Sequence, residues 1–365
     1  MSEAGIRTEN FICPNCGATM KWNITKQQFE CTACRVPGEI KTTYDKVIEH
    51  AFEGYFEREK GTVSFEEEIC VICSTCGAEV AFDKNETATI CSMCGSSHVA
   101  VSDQKNGVPP DGIIPFKIDK YQAQENFRKW IKKQWFAPNA LKKSYQEGRL
   151  NGIYVPFWTY DAHAVGRYHG KGGHVRVEKG RDGKTRTHTT WHSVSGTVAN
   201  SYDDIQVCAT DKNVQIVIGN ALPYNTSTGS KPYSNAYLSG FGAEKYAIKA
   251  DDGFEEAKNI IERNLTAMAE REILGRGYDK ASVHGIDVTY ENVKYKHVLL
   301  PAWFSSFSYN GKNYLYIING ETGKVAGQRP YSAIKIIVFI LAIIAVIALF
   351  IMLTSEPDSM NIVMY

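Results

Sequence analysis

The 365-residue chain has almost no net charge, 41 Lys and Arg standing against 40 Asp and Glu, so no overall field drives it onto nucleic acid or lipid. Any such binding has to come from a local patch. There is no low-complexity tract and no collagen-like period, and with 43% hydrophobic and 22% charged residues the chain reads as folded, with room for two or three domains. The opening MSEAGIRTEN lacks a charged-then-apolar leader, which leads us to expect the N-terminal part in the cytoplasm. A phosphate loop is missing as well. Gly183-Lys184-Thr185 is preceded five positions earlier by Glu178 rather than glycine, and Gly323-Lys324 is followed by Val325 rather than Ser or Thr. No nucleophile–base pair and no open metal position can be named, so the chain is expected not to be an enzyme.

Cysteine, by contrast, is plentiful. In a reducing compartment ten cysteines favour metal ligation over disulfides. Cys13, Cys16, Cys31 and Cys34 recur as Cys73, Cys76, Cys91 and Cys94, each sixty positions on, and ICPNCGA is echoed by ICSTCGA. Two CxxC knuckles brought together supply the four soft ligands that tetrahedral zinc takes, and the chain offers this twice. With all eight ligands cysteine, no position is left for water, so both Zn2+ ions are expected to be structural. Gly17, Gly77 and Gly95 after three of the four knuckles permit the tight turn that aims backbone N–H groups at sulfur, and Arg35 stands in the fourth such place. Cys70, Cys73 and Cys76 form two overlapping pairs; Cys73 with Cys76 keeps the sixty-residue register. Cys208 has no partner in the pattern and reads as a core residue.

Ile336 to Leu353 contains no polar residue, and its eighteen residues span roughly 27 Å as a helix, close to the hydrocarbon thickness of a bilayer. Arg329 and Lys335 precede it and Glu356 and Asp358 follow, a bias that places everything upstream in the cytoplasm. The expected organisation is a β-rich zinc ribbon over 1–40, a connector helix within 41–69, a second ribbon over 70–105, an α+β domain with antiparallel sheet over 111–332, a single transmembrane helix over 334–353 and a short external tail over 354–365. The turn-rich NGVPPDGIIP marks the boundary before the large domain.

Within the connector, Val47, Ile48, Ala51, Phe52, Tyr55 and Phe56 follow a helical spacing from Tyr44 to Lys60. Lys120 to Trp135 predicts a helix with Phe127, Trp130, Ile131 and Trp135 inward, followed by a second short helix toward Gly148. Strands are expected over Tyr154 to Val198 with a hairpin at Lys179 to Lys184, a helix from Phe254 to Ile273, and final strands over Lys296 to Val325 with a turn at Tyr309-Asn310-Gly311-Lys312. Tyr154-Val-Pro-Phe-Trp and Leu300-Pro-Ala-Trp-Phe look like corresponding strand starts. Five histidines, His163, His169, His174, His188 and His192, gather on the expected hairpin without a carboxylate pair or cysteine to complete a site. Trp158, Tyr160, Trp191 and Trp303 beside basic strands could stack on nucleic-acid bases, and Lys117 to Arg149 supplies basic charge, but such residues are more often packing and solvated faces.

The segments IPFKIDK at Ile114, YVPFW, LSGF, RPYS and the span, with the two ribbons, resemble a bacterial family of membrane-anchored double zinc-ribbon proteins. Members carry labels such as transcription-factor-IIB-type zinc ribbon or primosomal helicase-like while lacking helicase motors. The resemblance covers nearly the whole chain and implies a membrane scaffold. A similar protein of bacilli accompanies a phage-shock-protein-A homologue and a virion-core-like, band-7-related protein, which implies partners of those kinds and a role in envelope stress. The competing expectation is a membrane-tethered nucleic-acid-binding module, which predicts salt-dependent DNA binding.

Overall fold

A computed structural model of the chain describes residues 8–9, 11–42, 44–59, 69–72, 79–82, 86–90, 97–100, 108–139, 150–179, 185–210, 218–219 and 221–354. The first cysteines flank a small hairpin, β1 (Met20–Asn23) and β2 (Gln28–Cys31). The large unit is one twelve-stranded sheet dominated by β3 (Asn151–Lys179), β4 (Thr185–Cys208), β5 (Lys280–Tyr309), β6 (Lys312–Asn319) and β7 (Val325–Gly327). β3 lies between β4 and β5 in antiparallel pairing, and β5 continues to β6 and β7. The 29 residues of β3 could reach roughly 95 Å if fully extended.

Two helices cover apolar sheet surface. In α1 (Lys120–Lys133) a capping box starts the helix: Gln122 N donates to Asp119 Oδ1 at 2.8 Å while Asp119 N donates to Gln122 Oε1 at 3.0 Å. Ala123, Phe127 and Ile131 form its buried stripe. The expected inward position of Trp135 is corrected here. The helix ends at Lys133, the chain turns out through Gln134, and Trp135 is left 72% exposed. The longer α2 (Ala250–Gly275) buries Phe254, Ala257, Ile261, Leu265, Ala269 and Ile273, steps of three and four that keep one face on the sheet. That face meets Tyr160, Ala162, Ala164, Tyr168 and Val198 of β3 and β4.

Two expected hairpins are present. Lys179 pairs with Thr185, closing β3 onto β4, and Tyr309 pairs with Lys312 around Asn310 and Gly311. Both of these residues take positive φ, 50° and 73°, the signature of the primed turn that matches strand twist. A Cβ on Gly311 would meet no atom within 4 Å, so Gly311→Ala tests the backbone alone. We expect it to cost about 1 kcal/mol, seen as a small drop in the thermal midpoint with the fold intact.

Three expectations change. Among its described residues the connector is helical only over Tyr55–Glu59, because His50–Ala51 pairs with Lys294 and Tyr295 of β5 and Phe52–Gly54 forms a tighter turn. Sheet pairing takes residues that spacing alone gave to a helix. Residues 106–115 do not divide the sheet: strands Glu86–Ile90 and Ser97–Ala100 join it through Gly242–Glu244, and Gly112–Ile113 pairs with β5. Finally, β5 begins at Lys280, sixteen residues before the expected Lys296. YVPFW and LLPAWF are not corresponding strand starts, since Leu300 lies twenty residues into β5; they are antiparallel cross-strand neighbours, Tyr154 facing Pro301 and Val155 facing Leu300. The second short helix and the β3–β4 turn residues 180–184 lie outside the described residues.

Last comes α3 (Ala333–Thr354). Ala333–Leu353 is apolar and long enough to cross a bilayer, and none of it is buried against the rest of the protein.

Candidate metal centre

The β1–β2 hairpin brings two CxxC knuckles together, one before β1 and one starting at Cys31, the last residue of β2. In the first, Gly17 N donates to Cys13 O at 2.9 Å and Cys13 N to Ala18 O at 2.8 Å. In the second, Cys31 N donates to Val36 O at 2.9 Å, and the N–H groups of Ala33 and Cys34 both point at Cys31 Sγ at 3.4 Å. Gly17 takes φ 74° and Arg35 takes φ 62°, so the knuckle without glycine adopts the same left-handed turn. Arg35 is held there by Glu30, whose carboxylate accepts from its guanidinium at 3.3 Å and from Lys26 Nζ at 2.9 Å. The Lys26 ammonium and the amides of Asn23 and Gln28 pull Glu30 down to about 2.

The four sulfurs of Cys13, Cys16, Cys31 and Cys34 lie within 4.8 Å of one another. Cys13 Sγ and Cys34 Sγ are 3.6 Å apart, Cys16 Sγ and Cys31 Sγ 3.4 Å. A tetrahedral ion with metal–sulfur bonds of about 2.3 Å needs sulfur–sulfur edges of about 3.8 Å, whereas a disulfide needs about 2.05 Å. The spacing therefore fits a shared cation and not a disulfide.

The thiols differ in how ready they are to ionise. The Val36 backbone N–H and the Asn15 side chain lower Cys34 to about 6. Burial raises Cys31, but the N–H groups of Cys34 and Ala33 outweigh it and leave that thiol below its ordinary value. For Cys16 the Ala18 N–H favours the thiolate, yet the neighbouring sulfurs of Cys31 and Cys34 push the group up to about 11. Four thiolates at this distance repel one another unless a cation stands among them. A divalent ion removes that repulsion, and its binding releases the remaining protons.

This centre is built into the head and does not hang beside it. Cys13, Met20, Trp22, Phe29 and Cys31 belong to one buried cluster with Phe116, Tyr154, Tyr237, Phe241 and Trp303 of the large domain. Trp22 Nε1 and Gln27 Nε2 donate to Phe116 O at 3.3 and 2.8 Å, and Ser239 Oγ donates to Met20 O at 2.7 Å. The cysteine pattern identified the ligands; it gave no sign that Trp22 is the peg that docks the hairpin.

Cys73, Cys76, Cys91 and Cys94 lie outside the described residues, so one cysteine centre is seen. Cys208 is buried, as expected, and burial pushes its thiol up to about 12. Among the described residues the hairpin histidines complete no metal group. His174 and His192 instead stack around Tyr278, and His163 bonds the Ser201 hydroxyl at 3.0 Å. Trp158 and Tyr160 are fully buried and Trp303 nearly so, which removes them as base-stacking platforms; Trp191 stays 43% exposed.

Two polar clusters escaped the sequence reading. Glu49, Asp161 and Asp203 bring carboxylates within 4.8 Å of one another. Buried Lys296 lies 3.2 Å from Glu49 and 2.7 Å from Asp204, so the group is an ion-pair cluster with its own cation. Asp161 is raised to about 6, mainly by burial and the neighbouring carboxylate charges. The second cluster centres on Asp111, which accepts from His50 at 2.8 Å, from Arg58 at 3.1 Å and from His297 N at 2.9 Å. Its partners lie 53 to 186 positions from it in the chain, a separation that leaves no local pattern to read.

Over 328 residues the chain is 28% identical to an uncharacterized protein of Bacillus subtilis (strain 168), YdjG, a match covering 90% of this chain and 92% of the relative. No family model matches the chain, and no solved structure matches it significantly.

Proposed function

We propose that the protein is a non-enzymatic, membrane-anchored adaptor, in which α3 holds a metal-stapled head at the bilayer and the head recruits cytoplasmic partner proteins. The observation that carries the reading is the coupling between head and span. Ser332 N donates to Phe136 O at 2.8 Å, and Lys335 Nζ donates to Ala137 O at 2.7 Å and Asn139 Oδ1 at 2.8 Å. The ring of Phe136 meets Phe339 edge-on, with centroids 5.4 Å apart. A head tied to its helix in this way presents a fixed face to the membrane rather than drifting on a linker.

In this reading Zn2+ fills the Cys13, Cys16, Cys31 and Cys34 centre and the matching set Cys73, Cys76, Cys91 and Cys94. Both ions are structural, since four thiolates leave no site for a substrate. Arg329 and Lys335 on the head side of α3 support a cytoplasmic head, through the positive-inside bias. The resemblance to membrane-anchored double zinc-ribbon proteins supports band-7-like, virion-core-like and phage-shock-protein-A-like partners and a role in envelope stress. Membrane-tethered nucleic-acid binding is the weaker reading, because three of its four candidate stacking residues are buried.

The test compares full-length protein with a form ending at Ser332, in cells lacking paralogues. Loss of α3 is expected to move the chain to the soluble fraction, and a band-7-like or phage-shock-like partner, identified by mass spectrometry, with it. If the partner stays at the membrane without α3, recruitment is not this protein's role. Nuclease-sensitive nucleic acid as the main co-purifying species would turn the reading toward the tethered nucleic-acid module.

A further inference from the structure

Between the last turn of α1 and the first three turns of α3 lies a groove of about 430 Å³. Ile334, Val338 and Ala342 form its floor, a stripe at every fourth residue along α3. Lys132, Lys133 and Trp135 form the opposite wall. Lys335, whose ammonium also reaches Trp135 O at 3.2 Å, pins that wall to α3. The floor is thus a face of the same helix that enters the bilayer, while the rim carries positive charge. Trp135 in that wall is 72% exposed, and Tyr331, two residues before α3 begins, is 61% exposed. An indole so exposed is poorly placed in water and well placed at a membrane interface, where Trp and Tyr collect.

We propose that this groove binds one anionic phospholipid of the leaflet facing the head, with an acyl chain along Ile334, Val338 and Ala342 and the headgroup phosphate between Lys132 and Lys133. The proposal rests on the membrane reading of α3. Charge selects the occupant: a zwitterionic lipid offers the same chain but no net negative charge to the two lysines. An alternative role for these lysines, compensating the helix dipole at the end of α1, predicts an effect on stability and none on lipid choice.

The experiment is native mass spectrometry of the full-length protein in detergent, titrated with phosphatidylglycerol and with phosphatidylcholine of identical acyl chains. Wild type is expected to retain one phosphatidylglycerol with about tenfold preference, and Lys132→Gln/Lys133→Gln to bring the two lipids to equal occupancy. Ala342→Trp, which fills the floor from the lipid side, is expected to reduce binding of both lipids. Equal occupancy in wild type, or a preference that survives the double substitution, overturns the site. Alkaline carbonate extraction of membranes separates the two readings. Retention in the membrane without lipid preference removes the lipid site alone, whereas release into the soluble fraction removes the anchor and the site together.

Discussion

Replacing Cys31 by serine is expected to remove one metal equivalent per chain and to unfold the segment around residues 11–40, while Cys208→Ser leaves the metal content unchanged. Cys31 is fully buried, receives two backbone N–H groups, and shares its sulfur cluster with three other thiols. The hairpin it closes has only two four-residue strands and would not hold together on its own pairing. Metal binding to such a module supplies on the order of 10 kcal/mol, so losing the ion removes its main source of stability. The damage is expected to spread, because Met20, Trp22 and Phe29 cover apolar surface around Phe116 and Tyr237. Hydrogen exchange should therefore speed up first over 11–40 and next over the segments holding Phe116 and Tyr237. Elemental analysis identifies the ion: four thiolates suit zinc or iron, and zinc is expected, without visible absorption. Unchanged metal content in Cys31→Ser would sink the assignment of this centre.

The parts of the fold that depend on local chemistry were legible in the sequence. Cysteine spacing located the centre, Asn310-Gly311 located a turn, and the apolar run located α3, because each is decided by residues close together in the chain. Where the sequence reading failed, distant residues decide. The first half of β5 was missed because its pairing with β3 slips twice, between Gly285 and Val283 and again between Lys294 and Glu291. Each slip breaks the alternation of apolar residues by which a strand is recognised. The spacing of the connector predicts a helix because nothing near His50 announces its pairing with Tyr295, 245 residues away. The helical period points Trp135 inward only if it continues past Lys133, where the helix has already ended. The same absence of local signals hid the contacts of Trp22 and the polar cluster around Asp111, although they join the cysteine hairpin and the connector to the sheet.

That cluster makes His297 the residue whose titration should weigh most on stability. Its ring is buried against Trp158 and Tyr246, with centroids 4.8 and 5.5 Å away. Nδ1 lies 2.9 Å from Val108 O, which assigns the proton to that nitrogen, and buried Nε2 has no hydrogen-bond partner among the described residues. Burial pushes the imidazole down to about 4, against the pull of the Asp111 carboxylate, so the folded protein holds it neutral. The unfolded chain takes up this proton near pH 6.5, and the folded chain only near pH 4. Between those values the unfolded state binds more protons, so stability falls as the pH falls, by about 3 kcal/mol across the window. Asp161 acts in the opposite sense: its pKa is raised to about 6, so the folded state gains from protonation over part of the same range. Protonation of the cysteine thiolates adds a further acid-labile contribution through metal loss. The comparison that isolates His297 is therefore a difference between two proteins. His297→Asn keeps a donor for Val108 O but cannot titrate, and Asp161 and the cysteines are common to both forms. Thermal unfolding in detergent at pH 7 and pH 4.5 should show the wild type losing more stability than the variant, by a margin approaching about 3 kcal/mol. Equal losses in the two proteins would mean that the unfolded and folded states protonate this ring alike, and that its buried surroundings admit the charged form.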